Sequence, residues 1–296
     1  MDYNEWEINK ATHSYYPLKE QILFNIKSKK MKRFKLNFSS IFLLIFFFSF
    51  INTSCNKTKR EQAVLKVVFD HKVKDNNLEF YKFIYKAKAG YPYKIVTLRY
   101  FNSDFKLYKN DDSVVKLDTF HYREADKAHN YTKDMILKIP TGTYNGISFI
   151  HGLGDKYNKP IKGTEAHSLP NTVDEYLDMY WPWQEDGQYH YMKYEGEYAK
   201  GDDTLSFKLH MGPTNGNKNY IVINKLSFDD TTVNPGDTIV ITLLLDLNEF
   251  IENPETYDFD KFGKGIMKVQ EAQDILKKNG KNAYSIKKVD ILRKKV

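Results

Sequence analysis

Residues 64–73 read VLKVVFDHKV, and they alternate: Leu65, Val67, Phe69 and His71 share one side of an extended chain, with Lys66 and Asp70 on the other. A period of two is the mark of a strand with one buried face, and it excludes an amphipathic helix over the same residues. Similar runs recur along the chain. YKFIYKAKAGYPYKIVTLRYF holds two extended runs broken at Gly90 and Pro92. FKLYKNDDSVVKLDTF reads as a hairpin turning at Asn110, Asp111 and Asp112. DMILKIPTGTYNGISFI gives two strands joined by Pro140 to Gly142, and residues 152–180 read as a long irregular loop. YHYMKYEGEY and DTLSFKLHMG form another hairpin across AKGDD, while KNYIVINKLSF and DTIVITLLLDL are expected to pair across DDTTVNPG. Aromatic residues make up 15% of the chain, with 22 Tyr and 20 Phe, a composition that fits pleated, half-buried surfaces. One helix is expected in KGIMKVQEAQDILKKNG, where Ile266, Val269, Ala272 and Ile275 recur at three-residue steps and Gly280 ends the run. About nine short strands and one late helix predict an all-β, antiparallel, immunoglobulin-like Greek-key sandwich with a C-terminal helix.

The first part of the chain follows another logic. MKRFKLNFSSIFLLIFFFSFINTSC places Lys32, Arg33 and Lys35 before an apolar run from Ile41 to Ile51, then Thr53, Ser54 and Cys55. A basic start, a short apolar stretch and small residues before a cut site make a signal peptide. The run falls short of the roughly 20 apolar residues of a membrane-spanning helix. A cysteine directly after the small residues resembles a bacterial lipobox, which implies a lipidated Cys55. An export signal belongs at the start of a chain. Residues 1–30 are therefore expected to be a spurious extension, 31–54 a lipoprotein signal peptide, 55–63 a lipidated tether and 64–296 the folded domain. No acidic pair follows Cys55, so the expected location is the outer membrane, facing the periplasm. The formal charge of +7 shrinks accordingly. Of 45 Lys/Arg and 38 Asp/Glu, residues 1–55 hold 8 and 4, leaving 37 and 34, or about +3. A balance so close to neutral gives no footing for nucleic-acid binding.

Enzyme signatures are absent from the sequence. HGLGD at 151–155 is not accompanied by G-x-S-x-G, and there is no HExxH, P-loop or G-x-G-x-x-G. Cys55 is the only cysteine, so a cysteine-built zinc site is excluded. The histidines must be weighed singly. His71 ends the apolar face of its strand. Strict alternation puts His210 with Ser206 and Lys208, opposite Leu205, Phe207 and Leu209. His121, His129, His151, His167 and His190 carry no local pattern and read as ordinary structural histidines.

The order of motifs resembles the MbnP family of periplasmic copper-binding proteins. FDHKV, YPYKIVTLRYFNSDFKL, LKIPTGTYNGISF, DMYWPWQEDGQYHYMKYEGEY, FKLHMG and VNPGDTIVITLLLDLNEFIENPETYDF carry the resemblance, over about residues 64 to 290. It implies a β-sandwich and no enzymatic activity. It also implies copper held by two histidines near an oxidised tryptophan, and a dihaem peroxidase-like partner that modifies that tryptophan. Carried over residue by residue, the ligands are His71 and His210, and the aromatic role falls to Trp181 or Trp183. Imidazole suits copper, and two donors alone suit Cu(I), which accepts low coordination. The competing reading is a binding or assembly module that uses exposed aromatics for a glycan, peptide or protein. In that reading Trp181, Pro182 and Trp183 close the end of the sandwich. The two readings part on whether His71 and His210 meet beside a tryptophan.

Overall fold

The computed structural model describes residues 61–125, 134–159, 169, 176, 178–181 and 188–294. The expected extension, signal peptide and Cys55 lie outside the described residues, as do Trp183, His129 and His167. Among the described residues, twelve strands and three short α-helices follow in chain order. The strands are β1 (Gln62–Val73), β2 (Asn76–Asn77), β3 (Tyr85–Lys86), β4 (Pro92–Lys109), β5 (Val114–Glu124), β6 (Met135–Pro140), β7 (Gly142–His151), β8 (Met192–Lys200), β9 (Asp203–Met211), β10 (Ile221–Val233) and β11 (Thr238–Asp246). Then come α1 (Glu249–Glu252), α2 (Phe259–Phe262), α3 (Gln270–Asn279) and β12 (Tyr284–Leu292).

Two sheets pack face to face, giving the β-sandwich that the alternation predicts. A five-stranded sheet runs β12-β11-β1-β2, with β6 also on β1. A seven-stranded sheet runs β10-β7-β4-β8-β9, with β3 and β5 also on β4. The facing sides meet through Leu65, Val67 and Phe69 of β1 and through Tyr93, Leu98, Tyr100, Phe207 and Leu209 of the larger sheet, all at most 2% exposed. Each such side chain stabilises the fold by about 1.5–3 kcal/mol on burial. Near the open edge of β9, Phe259 of α2 stacks on Phe207 at 4.2 Å, closing that side of the core.

Several expectations about connectivity need correction. The two strands of DMILKIPTGTYNGISFI form as expected and go to different sheets: β6 joins β1, and β7 joins β4 and β10. The chain changes sheets at Thr141, and Gly142 there has φ of 145°, a region that favours glycine. DDTTVNPG is not one turn. Its first half extends β10 as far as Val233, and the turn is confined to the Pro235–Gly236 step, with Gly236 at φ 82°. After it, β11 crosses to the other sheet and pairs with β1 in parallel, Phe69 opposite Leu243 and His71 opposite Leu245. The sandwich is therefore mixed rather than wholly antiparallel. The expected single helix is a 3-10 turn at Ile266–Lys268 followed by α3, because Val269 is extended (φ −103°, ψ 92°). Of the three-residue series Ile266 and Ala272 are buried and Val269 is exposed, and α3 also buries Gln273, Leu276 and Asn279. Finally, the basic C-terminal stretch contributes to β12, whose Ile286, Val289 and Ile291 pack on the core.

Candidate metal centre

Strand pleat decides where each histidine points. In β8 and β9 the rows Met192–Met211, Tyr194–Leu209 and Gly196–Phe207 face the core, and Lys193–His210 and Glu195–Lys208 face outward. The pairing of β4 with β8 extends the outward row to Arg99–Lys193–His210 and the inward row to Tyr100–Met192–Met211. His210 thus sits on the outer face of the seven-stranded sheet.

His71 sits between the sheets. It continues the inward series Leu65, Val67, Phe69 of β1, and its Nε2 makes a 2.9 Å hydrogen bond with the Tyr100 hydroxyl. Burial, with the Arg123 charge adding to it, pushes its pKa down to about 3, so the ring is neutral. Beyond Tyr100 lies His151, whose Nδ1 bonds Asn102 Oδ1 at 3.1 Å and the Tyr284 hydroxyl at 2.9 Å. Burial lowers His151 to about 3 as well. The structure therefore does not bring His71 and His210 together. The inward row of the larger sheet lies between them, so one ion cannot touch both. The physical reason is parity: His71 continues an apolar face, whereas His210 interrupts a polar one.

What His210 does meet is His190. Just before β8, residues 188–190 pair back on 179–181: Trp181 N donates to Gln188 O at 2.8 Å and His190 N to Met179 O at 2.7 Å. Asn158 fixes this pairing, accepting from Tyr189 N at 2.9 Å and donating to Tyr189 O at 3.2 Å. Asp178 anchors the front of the segment through ion pairs with Arg99 and, at 3.0 Å, with Lys193. The result is a lid of protein over the outward row. Under it the His190 and His210 rings lie 4.9 Å apart at 90°, and Trp181 lies 4.5 Å from His190. Trp181 is 1% exposed and needs Gly212 beneath it, since a methyl there would fall 2.5 Å from the indole.

The hydrogen bonds set the tautomers. A carbonyl only accepts, so His190 donates from Nδ1 to Met179 O at 3.0 Å. A carboxylate only accepts, so His210 donates from Nε2 to Glu195 Oε1 at 2.6 Å. The free lone pairs are then His190 Nε2 and His210 Nδ1, and both atoms are buried with no hydrogen-bond partner. Burial, reinforced by His210, pushes the His190 pKa down to about 3 and keeps the ring a neutral donor. Burial alone would raise the Glu195 carboxyl, but the His210 hydrogen bond and the nearby Lys193 and Lys208 charges hold it below its ordinary value. Buried imidazole nitrogens without partners are rare, and a pair on adjoining rings is the donor set of a small metal ion. Among the described residues no group of three or more His, Cys, Asp and Glu side chains forms a metal site. The pair offers two buried imidazole nitrogens beside an indole.

Of the two tryptophans expected near the site, Trp181 lies beside His190, and Trp183 is outside the described residues. His190 is the residue that sequence reasoning passed over. A signal for it existed. A hairpin turning at AKGDD sets Lys193 opposite His210, which puts His190 one turn of chain away from that pair on the same end of the hairpin.

A family model described as MbnP matches residues 62–268. Among solved structures, MbnP from Methylosinus trichosporium is similar at 13% identity and a TM-score of 0.46, over 67% of this chain and 80% of that one. No curated protein matches the chain.

Proposed function

This chain belongs to the MbnP family, and from that premise we propose that it is a metal-binding protein of the cell envelope whose ion is copper, held by His190 and His210 beside Trp181. One observation carries the reading: two imidazoles present unpartnered, buried nitrogens at adjoining rings. Imidazole is a good copper donor, and a site with two nitrogens and no thiolate suits the low coordination of Cu(I). Copper bound there supplies a redox-active centre. The chain's own residues neutralise, orient and shield it, with Trp181 and the Asp178-anchored lid keeping water out. In this reading the protein binds copper and catalyses nothing, and nucleic acid is not a partner. It is tethered through a lipidated Cys55 to the outer membrane on its periplasmic side. The family resemblance supplies the proposed partner, a dihaem peroxidase-like protein acting on the tryptophan.

A second reading rests on a different surface. Tyr81, Phe83 and Ile84 are 55%, 44% and 48% exposed in one short segment, which suits a glycan or peptide contact. The two readings separate on metal content. The mature protein, loaded with copper and desalted, is expected to retain about one ion per chain by elemental analysis, and the His190→Ala/His210→Ala double variant none. Equal copper in both proteins removes the site.

A further inference from the structure

The outward row holds one acidic side chain whose direction is not explained by its neighbours. Glu195 stands directly opposite Lys208 across the β8–β9 ladder. A cross-strand carboxylate and ammonium are natural partners. Glu195 instead reaches along the diagonal to His210 Nε2 at 2.6 Å, on the ring edge away from the free Nδ1. The Glu195 side chain is 20% exposed and that of His210 9%, so the contact is shielded from water. An imidazole can place its single proton on either nitrogen. With Nδ1 protonated, His210 would offer no lone pair toward His190 and the two-donor centre would not exist. Hydrogen bonding of the remote nitrogen to a carboxylate fixes the other tautomer and raises the donor strength of the near one.

We propose that Glu195 is a positioning residue for the metal centre: its carboxylate accepts the hydrogen bond from His210 Nε2–H and thereby commits Nδ1 to the ion. The inference rests on the two-histidine reading given above, but it adds a distinct element. His190 is fixed by a main-chain carbonyl, a neutral acceptor that mutation of side chains leaves in place, whereas His210 is fixed by a charge. The two donors are therefore unequal, and the His210 donor is the one that a single side-chain substitution can switch off. Glu195 touches no ion itself.

The test uses the full-length, metal-free protein with nitrogen-15-labelled histidine. Long-range proton–nitrogen correlation spectra are expected to show His210 with its proton on Nε2 and a bare Nδ1. A proton on Nδ1 in the unsubstituted protein overturns the inference without any variant having to fold. The variants sharpen it. Glu195→Gln keeps an acceptor oxygen, so the tautomer is retained and silver(I) affinity stays within a few-fold. Glu195→Leu removes the acceptor, so the tautomers mix and silver(I) affinity falls about 10–100-fold. A folded Glu195→Leu protein with unchanged tautomer and affinity contradicts the proposal. Silver(I) titration of His210→Ala separates the two levels: undiminished binding there sinks the two-histidine centre, while a loss there with an unaffected Glu195→Leu protein sinks only the role of Glu195.

Discussion

The two sides of the seven-stranded sheet use histidine in opposite ways. Inside, His71 and His151 are joined to the Tyr100 and Tyr284 hydroxyls and to Asn102, the His71 nitrogen facing Tyr100 is occupied, and the bare His151 Nε2 belongs to a ring set against Tyr100, Phe250 and Tyr284. Outside, His190 and His210 each spend one nitrogen on an acceptor and leave the other bare, and the bare ones belong to neighbouring rings. A bonded polar network makes a core specific. A pair of bare lone pairs under a lid makes a binding site. What separates the two faces is that outside the two bare nitrogens belong to adjoining imidazole rings.

That contrast can be broken most sharply at Trp181. Trp181→Ala empties the space above Gly212 and His190 and is expected to cost about 3–5 kcal/mol in denaturant unfolding. It should also let water reach the His190 nitrogen, weakening metal retention. A loss below about 1 kcal/mol would mean that the lid is not packed as described.

Acid provides the second test. His71 and His151 have folded pKa values pushed down to about 3 by burial, against an ordinary value near 6.5. Between those pH values the unfolded chain binds more protons than the folded one. Stability present above pH 6.5 is therefore lost as pH falls toward 3, by about 1.4 kcal/mol per pH unit for each histidine. His151→Leu should flatten the acid limb of a melting-temperature profile without changing copper content. An unchanged acid limb would place the titration elsewhere.

The smallest expected effect lies at the anchor of the lid. Asp178→Asn removes the ion pairs that Asp178, whose side chain is 49% exposed, makes with Arg99 and Lys193, while Arg99 keeps its pair with the buried Glu124. Such partly exposed pairs contribute about 0.5–1 kcal/mol. Faster silver(I) release at nearly constant stability is the expected outcome, and a large stability loss would make the anchor part of the core instead.

Much of this was readable before any coordinates. The alternation of VLKVVFDHKV sets the inward face of β1, and DTLSFKLHMG sets His210 on the face away from Leu205, Phe207 and Leu209. Taken together, those parities already separate His71 from His210, since one continues an apolar face and the other a polar one. The family resemblance pointed the other way, because motif order says nothing about which side of a sheet a residue occupies. The parallel pairing of β1 with β11 was not legible, because alternation does not specify a partner or a direction. Nor was the bend at Val269, where an extended residue interrupts an otherwise helical pattern. His190 could be found only by combining the hairpin register with the return of the Trp181 segment, and that return depends on Asn158, some thirty residues earlier in the chain.

The most direct test compares the two faces in one experiment. Silver(I) binding is measured by calorimetry on folded His71→Phe and His190→Phe proteins beside the unsubstituted chain. The geometry predicts that His71→Phe binds as the unsubstituted protein does, though with lower stability, and that His190→Phe loses at least about 100-fold in affinity. Loss of binding in His71→Phe with full binding in His190→Phe would put the metal between the sheets and contradict the assignment.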